Sequence, residues 1–132
     1  MDEDFEVVRL TWAAASRMDE SGMAAHLHPE VVAVPFGAAM EDRAYRGPAE
    51  VMGWWRNEIL TNWESFRVLP EKFERAGDRL LITGRWNARG KGSGVDLDVP
   101  ASWVVEVREG KLVYWQTYTD HAEARRDAGL DP

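Results

Sequence analysis

The sequence contains no cysteine among its 132 residues, so it can form no disulfide, no thiolate nucleophile and no Cys-based zinc site. Basic residues are scarce as well. Sixteen Lys and Arg oppose 23 Asp and Glu, which gives a formal net charge of −7. Binding to a phosphate backbone needs clustered positive charge. We therefore expect no nucleic-acid partner.

Long apolar runs are also missing. No stretch approaches the roughly 20 apolar residues of a membrane-spanning helix. The acidic start, MDEDFEVV, lacks the basic flank and apolar core of a signal peptide. We therefore expect a cytoplasmic protein with no membrane partner. An apolar content of 45 % over this length suits one domain, residues 1–132.

What the sequence has in excess is tryptophan. Seven tryptophans are many for a chain of this length. Indoles combine a large apolar area with one N–H donor, so they tend to line cores, pockets and interfaces.

The first half of the sequence has helical periodicity. Apolar side chains recur every three or four residues between Phe5 and Ala15, which predicts a helix over residues 4–18. A shorter helix is predicted near 21–27, and the β-branched run VVAV at 31–34 predicts a strand. A third helix is predicted for PAEVMGWWRNEIL, with its proline at the first helical position.

From Ser65 onward the period changes to two. Strands are predicted near 65–74, 79–89, 95–107 and 111–119. Helices followed by a run of antiparallel strands indicate an α+β domain. A last helix follows Asp120, whose carboxylate can cap it, and Gly129 stands where a left-handed C-terminal residue belongs.

Four diffuse motifs follow one another in this order: YRGPAEV before the third helix, GSG in a hairpin, REGK in the last turn, and YTD…EA…AGL. With them the chain resembles the SnoaL-like (polyketide cyclase-like) branch of the NTF2-like superfamily. The resemblance implies a cone, a strongly curved antiparallel sheet with two to three N-terminal helices, a short C-terminal helix and an apolar pocket. Such proteins often form a homodimer through the convex face of the sheet. Many of them have no chemistry, and an enzyme of the cyclase, isomerase or dehydratase type needs no cofactor.

The last hairpin decides which side chains face that pocket. Pairing it about Glu109-Gly110 places Arg108 opposite Lys111. One face then carries Trp103, Val105, Tyr114, Gln116, Tyr118 and Asp120, and we predict that this face lines the pocket. The other face carries Val104, Val113 and Trp115, the predicted dimer interface. A shift of one residue would exchange the two faces.

Asp120 is the leading catalytic candidate. A carboxylic acid at the rim of an apolar cavity has a raised pKa, which suits proton transfer near neutral pH. In the cyclases that the chain resembles, an acid late in the sheet has this role. Tyr118 and Tyr114 can donate hydrogen bonds to an enolate oxygen, and Gln116 can orient a carbonyl. The alternative for Asp120 is the helix cap, and the alternative for the tyrosines is hydrogen bonding to each other or to water.

Trp12, Phe36, Trp55 and Trp103 are predicted to wall the cavity and to bind a flat, small, apolar or aromatic molecule. The alternative is that these rings only fill a packed core. In a rough alignment with the steroid isomerases of the superfamily, Trp12, Phe36 and Trp103 fall at or near positions where that family has a phenol and two acids. The isomerase mechanism is therefore not carried over.

Arg85 and Asn87, together with Asp120, resemble the charged site of the epoxide hydrolases of the superfamily. An amide cannot take a proton from water, which weakens this hypothesis, and a solvated sheet face is the alternative. No metal site is predicted, because His26 and His28 lack further ligands. Three hypotheses remain: a cofactor-free cyclase, isomerase or dehydratase, a binding module without chemistry, and a dimerising scaffold.

Overall fold

The computed structural model of the chain describes residues 2–35 and 43–130. Its helices and its six-stranded sheet confirm the predicted α+β class. The helices are α1 Glu3–Ser16, α2 Glu20–Ala24, α3 Gly47–Trp54, a π-helix Trp55–Leu60 that continues α3, and α4 His121–Ala128. The strands are β1 Leu27–Val34, β2 Tyr45–Arg46, β3 Trp63–Ala76, β4 Arg79–Gly90, β5 Asp96–Arg108 and β6 Lys111–Tyr118.

The two N-terminal helices begin at aspartates. The Asp2 carboxylate accepts a hydrogen bond from the Asp4 amide at 2.9 Å, and the Asp19 carboxylate accepts one from the Gly22 amide at 3.0 Å. These bonds satisfy N–H groups that have no partner within the helix. They also lower the pKa of both carboxyl groups. The helix starts are thus fixed by local chemistry.

The sheet is curved and unclosed, with the order β2-β1-β6-β5-β4-β3. All neighbouring strands are antiparallel except β1 and β6, which are parallel. Residues 45–46, for which the sequence predicts no strand, form the edge strand β2. Among the described helices, none is long and apolar enough to cross a membrane.

Different helices cover the two faces of the sheet. We call the face against α1, α2, α3 and the π-helix the inner face, and the face against α4 the outer face. The main apolar core lies on the inner face and includes Val8, Leu80 and Val105. A smaller cluster lies on the outer face. Its buried members are Leu81, Val104, Tyr118, Ala124 and Ala128.

The last hairpin turns as predicted, with Arg108 opposite Lys111 and Val107 opposite Leu112. A β-bulge lies directly beyond this turn. Glu106 pairs with Tyr114, which leaves Val113 without a partner on β5. An extra residue on one strand reverses the side to which all later side chains point. The predicted face assignment of β6 is therefore wrong beyond Leu112.

The bulge also overturns the predicted dimer surface. Trp115 lies opposite Val105 and Thr117 opposite Trp103, so Trp115 belongs to the inner face. Val104 is on the outer face, but it is fully buried in the cluster beneath α4. Neither side chain is available to a second copy in the way that the sequence analysis predicted.

Candidate ligand-binding cavity

A cavity of about 470 Å³ lies between the inner face of the sheet and the helices that cover it. This volume is within the range of roughly 300–1,000 Å³ that is usual for small-molecule pockets. Each of the seven tryptophans of the chain lines it. They are Trp12, Trp54, Trp55, Trp63, Trp86, Trp103 and Trp115.

These indoles form contacts around the cavity rather than one packed stack. Trp12 of α1 meets Trp103 of β5 with ring centroids 4.7 Å apart, and Trp54 meets Trp115 at 6.3 Å. Phe66 stacks on Trp86 at 5.8 Å with an interplanar angle of 23°. Such separations are those of favourable aromatic pairs. The walls are therefore largely flat and apolar.

The π-helix Trp55–Leu60 supplies much of one wall. A π-helical turn is wider than an α-helical turn, and the Thr61 hydroxyl donates to the Arg56 carbonyl at 2.9 Å across this wider turn. Trp55 and Ile59 line the cavity and are buried. Short π-helical segments are rare and are frequent at functional sites.

A few polar side chains interrupt the apolar lining. They are Thr11, Arg43, Tyr45, Glu58, Asn62 and Thr117. The Thr11 hydroxyl donates to the Val7 carbonyl at 2.8 Å, and the Asn62 amide donates to the Glu58 carbonyl at 2.8 Å. Glu58 is the only acid among the described lining residues, and it is exposed.

The indole N–H of Trp55 is one of the buried polar groups of the lining. The indole Nε1 of Trp55 has no hydrogen-bond partner among the described residues, and Trp55 itself is 1 % exposed. A buried donor of this kind costs about 1–3 kcal/mol relative to a satisfied one.

The structure places three of the predicted site residues on the outer face. The Tyr118 hydroxyl donates to the Asp127 carboxylate at 2.6 Å, and the Tyr114 hydroxyl donates to the Gln116 amide oxygen at 2.8 Å. Burial and, next, the hydrogen bond to Asp127 raise the pKa of Tyr118 well above its usual range. The predicted location of Tyr114, Gln116 and Tyr118 in the pocket is therefore wrong.

Asp120 does not line the cavity either. It is exposed, and its carboxylate accepts a hydrogen bond from the Glu123 amide at 3.2 Å as the N-cap of α4. Gly129 ends the helix with φ 91°. The predicted cap is confirmed, and the predicted position of Asp120 at the cavity rim is wrong. No described contact connects Asp120 to the tryptophan lining.

Arg85 and Asn87 alternate with Trp86 along β4, so they point to the outer face while Trp86 points inward. Arg85 donates to the Asp98 carboxylate at 2.8 Å. The alternative of a solvated sheet face is the one observed. Phe36 lies outside the described residues. No group of three metal-ligating side chains occurs within residues 2–35 and 43–130.

Trp12, Trp55 and Trp103 line the cavity where the sequence analysis expected them. The other four tryptophans were not predicted to line the cavity, although the β4 sequence indicates the direction of one of them, Trp86. The alternation of Arg85, Asn87 and Arg89 as a polar face implies that Trp86 faces inward. The β6 sequence does not indicate which side chains face the cavity, because aromatic residues occupy both faces of that strand.

Solved structures share the fold over nearly the whole chain. An NTF2-like protein from Burkholderia pseudomallei has a TM-score of 0.78 at 23 % identity, covering 97 % of this chain and 98 % of that one. A protein from Mycobacterium tuberculosis in complex with estradiol-17β-hemisuccinate has a TM-score of 0.77 at 16 % identity, covering 91 % and 95 %. At such identities the likeness establishes the fold alone, which is NTF2-like.

A third structure, from Catenulispora acidiphila, has a ketosteroid isomerase-like fold in complex with trimethylamine. Its TM-score is 0.75 at 20 % identity, and the match covers 95 % of this chain and 93 % of that one. The model of the SnoaL-like domain family matches residues 8–115. The chain therefore belongs to the SnoaL-like family. No curated protein matches the sequence.

Proposed function

We propose that this protein binds a small, flat, apolar molecule in the tryptophan-lined cavity. The observation that carries the proposal is the position of the tryptophans: all seven line one cavity, although they come from helices and strands far apart in sequence. A core that needed only to be filled would use aliphatic side chains as readily. Flat aromatic walls favour a ligand with rings of its own.

Binding without chemistry is favoured over acid–base catalysis. A general acid or base must reach the reacting atoms and usually has a pKa that its surroundings have shifted. Among the described lining residues the single acid, Glu58, is exposed. Asp120, the acid that the cyclase hypothesis needs, caps α4 instead.

The ligands of two proteins with the same fold suggest which compounds to test for binding. The M. tuberculosis protein was solved with a steroid ester, and the C. acidiphila protein with trimethylamine. The first ligand has a flat, apolar ring system, as in our proposal, and it also carries the carboxylate of its hemisuccinate group. The second suggests an organic cation, which aromatic walls also attract. A test of the proposal must separate these two classes.

Isothermal titration calorimetry with 2-naphthol, estradiol-17β-hemisuccinate and tetramethylammonium provides that test. We expect saturable binding of at least one ring compound with a negative heat-capacity change, the mark of apolar burial. Saturable binding of tetramethylammonium alone would contradict the proposal. So would the absence of binding by all three probes.

A pair of variants locates the binding site. Ala15 is buried and lines the cavity, whereas Ala13 on the same helix is exposed. We expect Ala15→Phe to weaken binding of the ring compound at least roughly tenfold, which is about 1.4 kcal/mol. Ala13→Phe is the matched control and should bind like the wild type. Circular dichroism confirms that both variants fold, and equal affinity in both would place the ligand elsewhere.

A further inference from the structure

We propose that the ligand of this cavity carries an anionic group, and that Arg43 binds that group at the boundary between the cavity and a second, polar recess. This inference rests on the proposed function of the cavity. It narrows the ligand from any flat apolar molecule to a ring compound with a carboxylate or a similar anion at one end.

Arg43 supplies the positive charge of the cavity. Among the described residues of the lining it is the only Lys, Arg or His, and its side chain is exposed to solvent. A guanidinium group has five N–H donors, so it can bind a carboxylate while it keeps other contacts. The protein as a whole has a formal net charge of −7, which repels an anion. A positive charge beside the cavity offsets this repulsion locally.

Ring contacts connect Arg43 to the wall of the cavity. Its guanidinium carbon lies 5.8 Å from the ring centroid of Tyr45, a distance typical of a cation–π contact. The Tyr45 ring lies 6.2 Å from that of Trp54, which in turn lies 6.3 Å from that of Trp115. The positive charge is therefore held beside the aromatic wall, where it can reach a group attached to a bound ring.

The polar recess adjoins the cavity at the β2 edge of the sheet. Arg43 and Tyr45 line both spaces, and the recess also contains Arg46, Glu50 and Gln116. The Glu50 carboxylate accepts a hydrogen bond from the backbone amide of Arg46 at 2.9 Å. Two guanidinium groups thus oppose one carboxylate around the recess. This balance of charge favours an anion there, while the apolar part of the ligand occupies the cavity.

Glu58 is the competing charge, because it also lines the cavity. It is exposed and belongs to the π-helix, and it does not line the recess. A ligand with a cationic group would place that group near Glu58 instead. The two alternatives predict opposite preferences among ligands that share one ring system.

The test compares two ligands of nearly the same shape by isothermal titration calorimetry. 2-Naphthoic acid is an anion at neutral pH, and 2-naphthamide is its neutral analogue. We expect the wild type to bind the acid about fivefold more tightly, the effect of a well-placed exposed ion pair. Arg43→Gln removes the charge and should abolish this preference, while the amide binds as before. High salt should also reduce the preference of the wild type.

Arg67→Gln is the matched control. Arg67 is exposed, lies in β3 at the opposite edge of the sheet, and lines neither the cavity nor the recess. Its loss changes the net charge as much as the loss of Arg43 does, yet the preference should stay intact. Arg43→Lys keeps the charge and should keep most of the preference. An equal loss of preference in Arg43→Gln and Arg67→Gln would mean that overall charge, and not Arg43, is responsible.

A cationic analogue tests the alternative at Glu58. 2-Naphthylmethylamine is positively charged at neutral pH, and we expect the wild type to bind it more weakly than 2-naphthoic acid. If the amine bound more tightly and Glu58→Gln abolished this advantage, Glu58 would select the charge of the ligand and the inference would be wrong.

The remaining outcomes separate this inference from the proposed function. If the wild type binds the acid and the amide equally, or if Arg43→Gln keeps the preference, the cavity is a ligand site but Arg43 does not bind an anionic group. If none of the three naphthalene compounds binds the wild type, the proposed function fails together with the inference.

Discussion

The inner and outer faces of one sheet have opposite chemistry. On the outer face several polar side chains bind one another, as Tyr118 binds Asp127 and Arg125 binds Glu74 at 3.0 Å, although the buried Thr83 hydroxyl has no hydrogen-bond partner among the described residues. On the inner face the seven tryptophans surround a cavity, and the Trp55 N–H has no partner within the described chain. Hydrogen bonds and ion pairs of this kind stabilise the fold. A surface that encloses a cavity has room for another molecule to bind.

The aromatic residues divide in the same way. All of the tryptophans face the cavity, whereas two of the three tyrosines, Tyr114 and Tyr118, lie on the outer face. A phenol brings a hydroxyl that must be satisfied, and the outer face provides partners for it. Substitutions on the outer face should therefore change stability, whereas substitutions on the inner face should change ligand binding.

The largest expected effect is a loss of stability on the outer face. Leu81 is fully buried between β4 and α4, so Leu81→Ala should lower the free energy of unfolding by about 2–5 kcal/mol. Urea unfolding measures this loss. The affinity of the remaining folded protein for 2-naphthol should be unchanged, and a parallel fall in affinity would break the division between the faces.

A substitution on the inner face should, in contrast, weaken ligand binding. Trp103→Leu removes the ring contact with Trp12 at 4.7 Å and one flat wall of the cavity. The affinity for 2-naphthol should fall roughly tenfold, or about 1.4 kcal/mol, by calorimetry. Some stability will be lost too, so the titration is done where circular dichroism shows a folded protein. An unchanged affinity would mean that Trp103 only fills the core.

Tyr118 gives the outer face a dependence on alkaline pH. Its pKa is raised in the folded protein, so its contribution to stability is complete below the unfolded pKa of about 10 and is lost as pH rises above it. Tyr118→Phe should cost about 1 kcal/mol at neutral pH, because it removes the bond to Asp127. In urea unfolding the difference between wild type and variant should shrink above that pH. A constant difference would contradict the assignment.

The smallest effect concerns the cap of α4. Asp120→Ala should lower the free energy of unfolding by about 1 kcal/mol, whereas Asp120→Asn keeps a side-chain acceptor and should cost much less. Neither variant should change the affinity for 2-naphthol. If both variants lost affinity while Asp120→Asn kept its stability, Asp120 would belong to the binding or catalytic site after all.

The sequence predicted most of the fold because its periodicities are clear. The helix caps, the change of period after Ser65 and the two-residue turn at Glu109 and Gly110 all have local causes. Both turn residues adopt positive φ, 56° and 74°, as a tight hairpin turn requires.

The candidate site was harder to predict, because two small irregularities decide it. The sequence KLVYWQTY does not indicate the bulge that leaves Val113 unpaired, because its aromatic residues suit either face of the sheet. The π-helix that begins at Trp55 widens the helical turn, and the apolar periodicity of the sequence does not reveal this widening. Each irregularity changes the direction of a few side chains, and those side chains are the ones that line or leave the cavity.

The central claim is that a ligand binds the inner face and not the outer one, and the tyrosines report on both. Tyr45 lines the cavity, whereas Tyr114 and Tyr118 lie on the outer face. In protein labelled with fluorotyrosine, fluorine NMR gives one resonance for each. During titration with 2-naphthol we predict a saturable shift of the Tyr45 resonance while the other two stay in place. A shift of Tyr114 or Tyr118 with Tyr45 unmoved, or no shift of any resonance, would contradict the account.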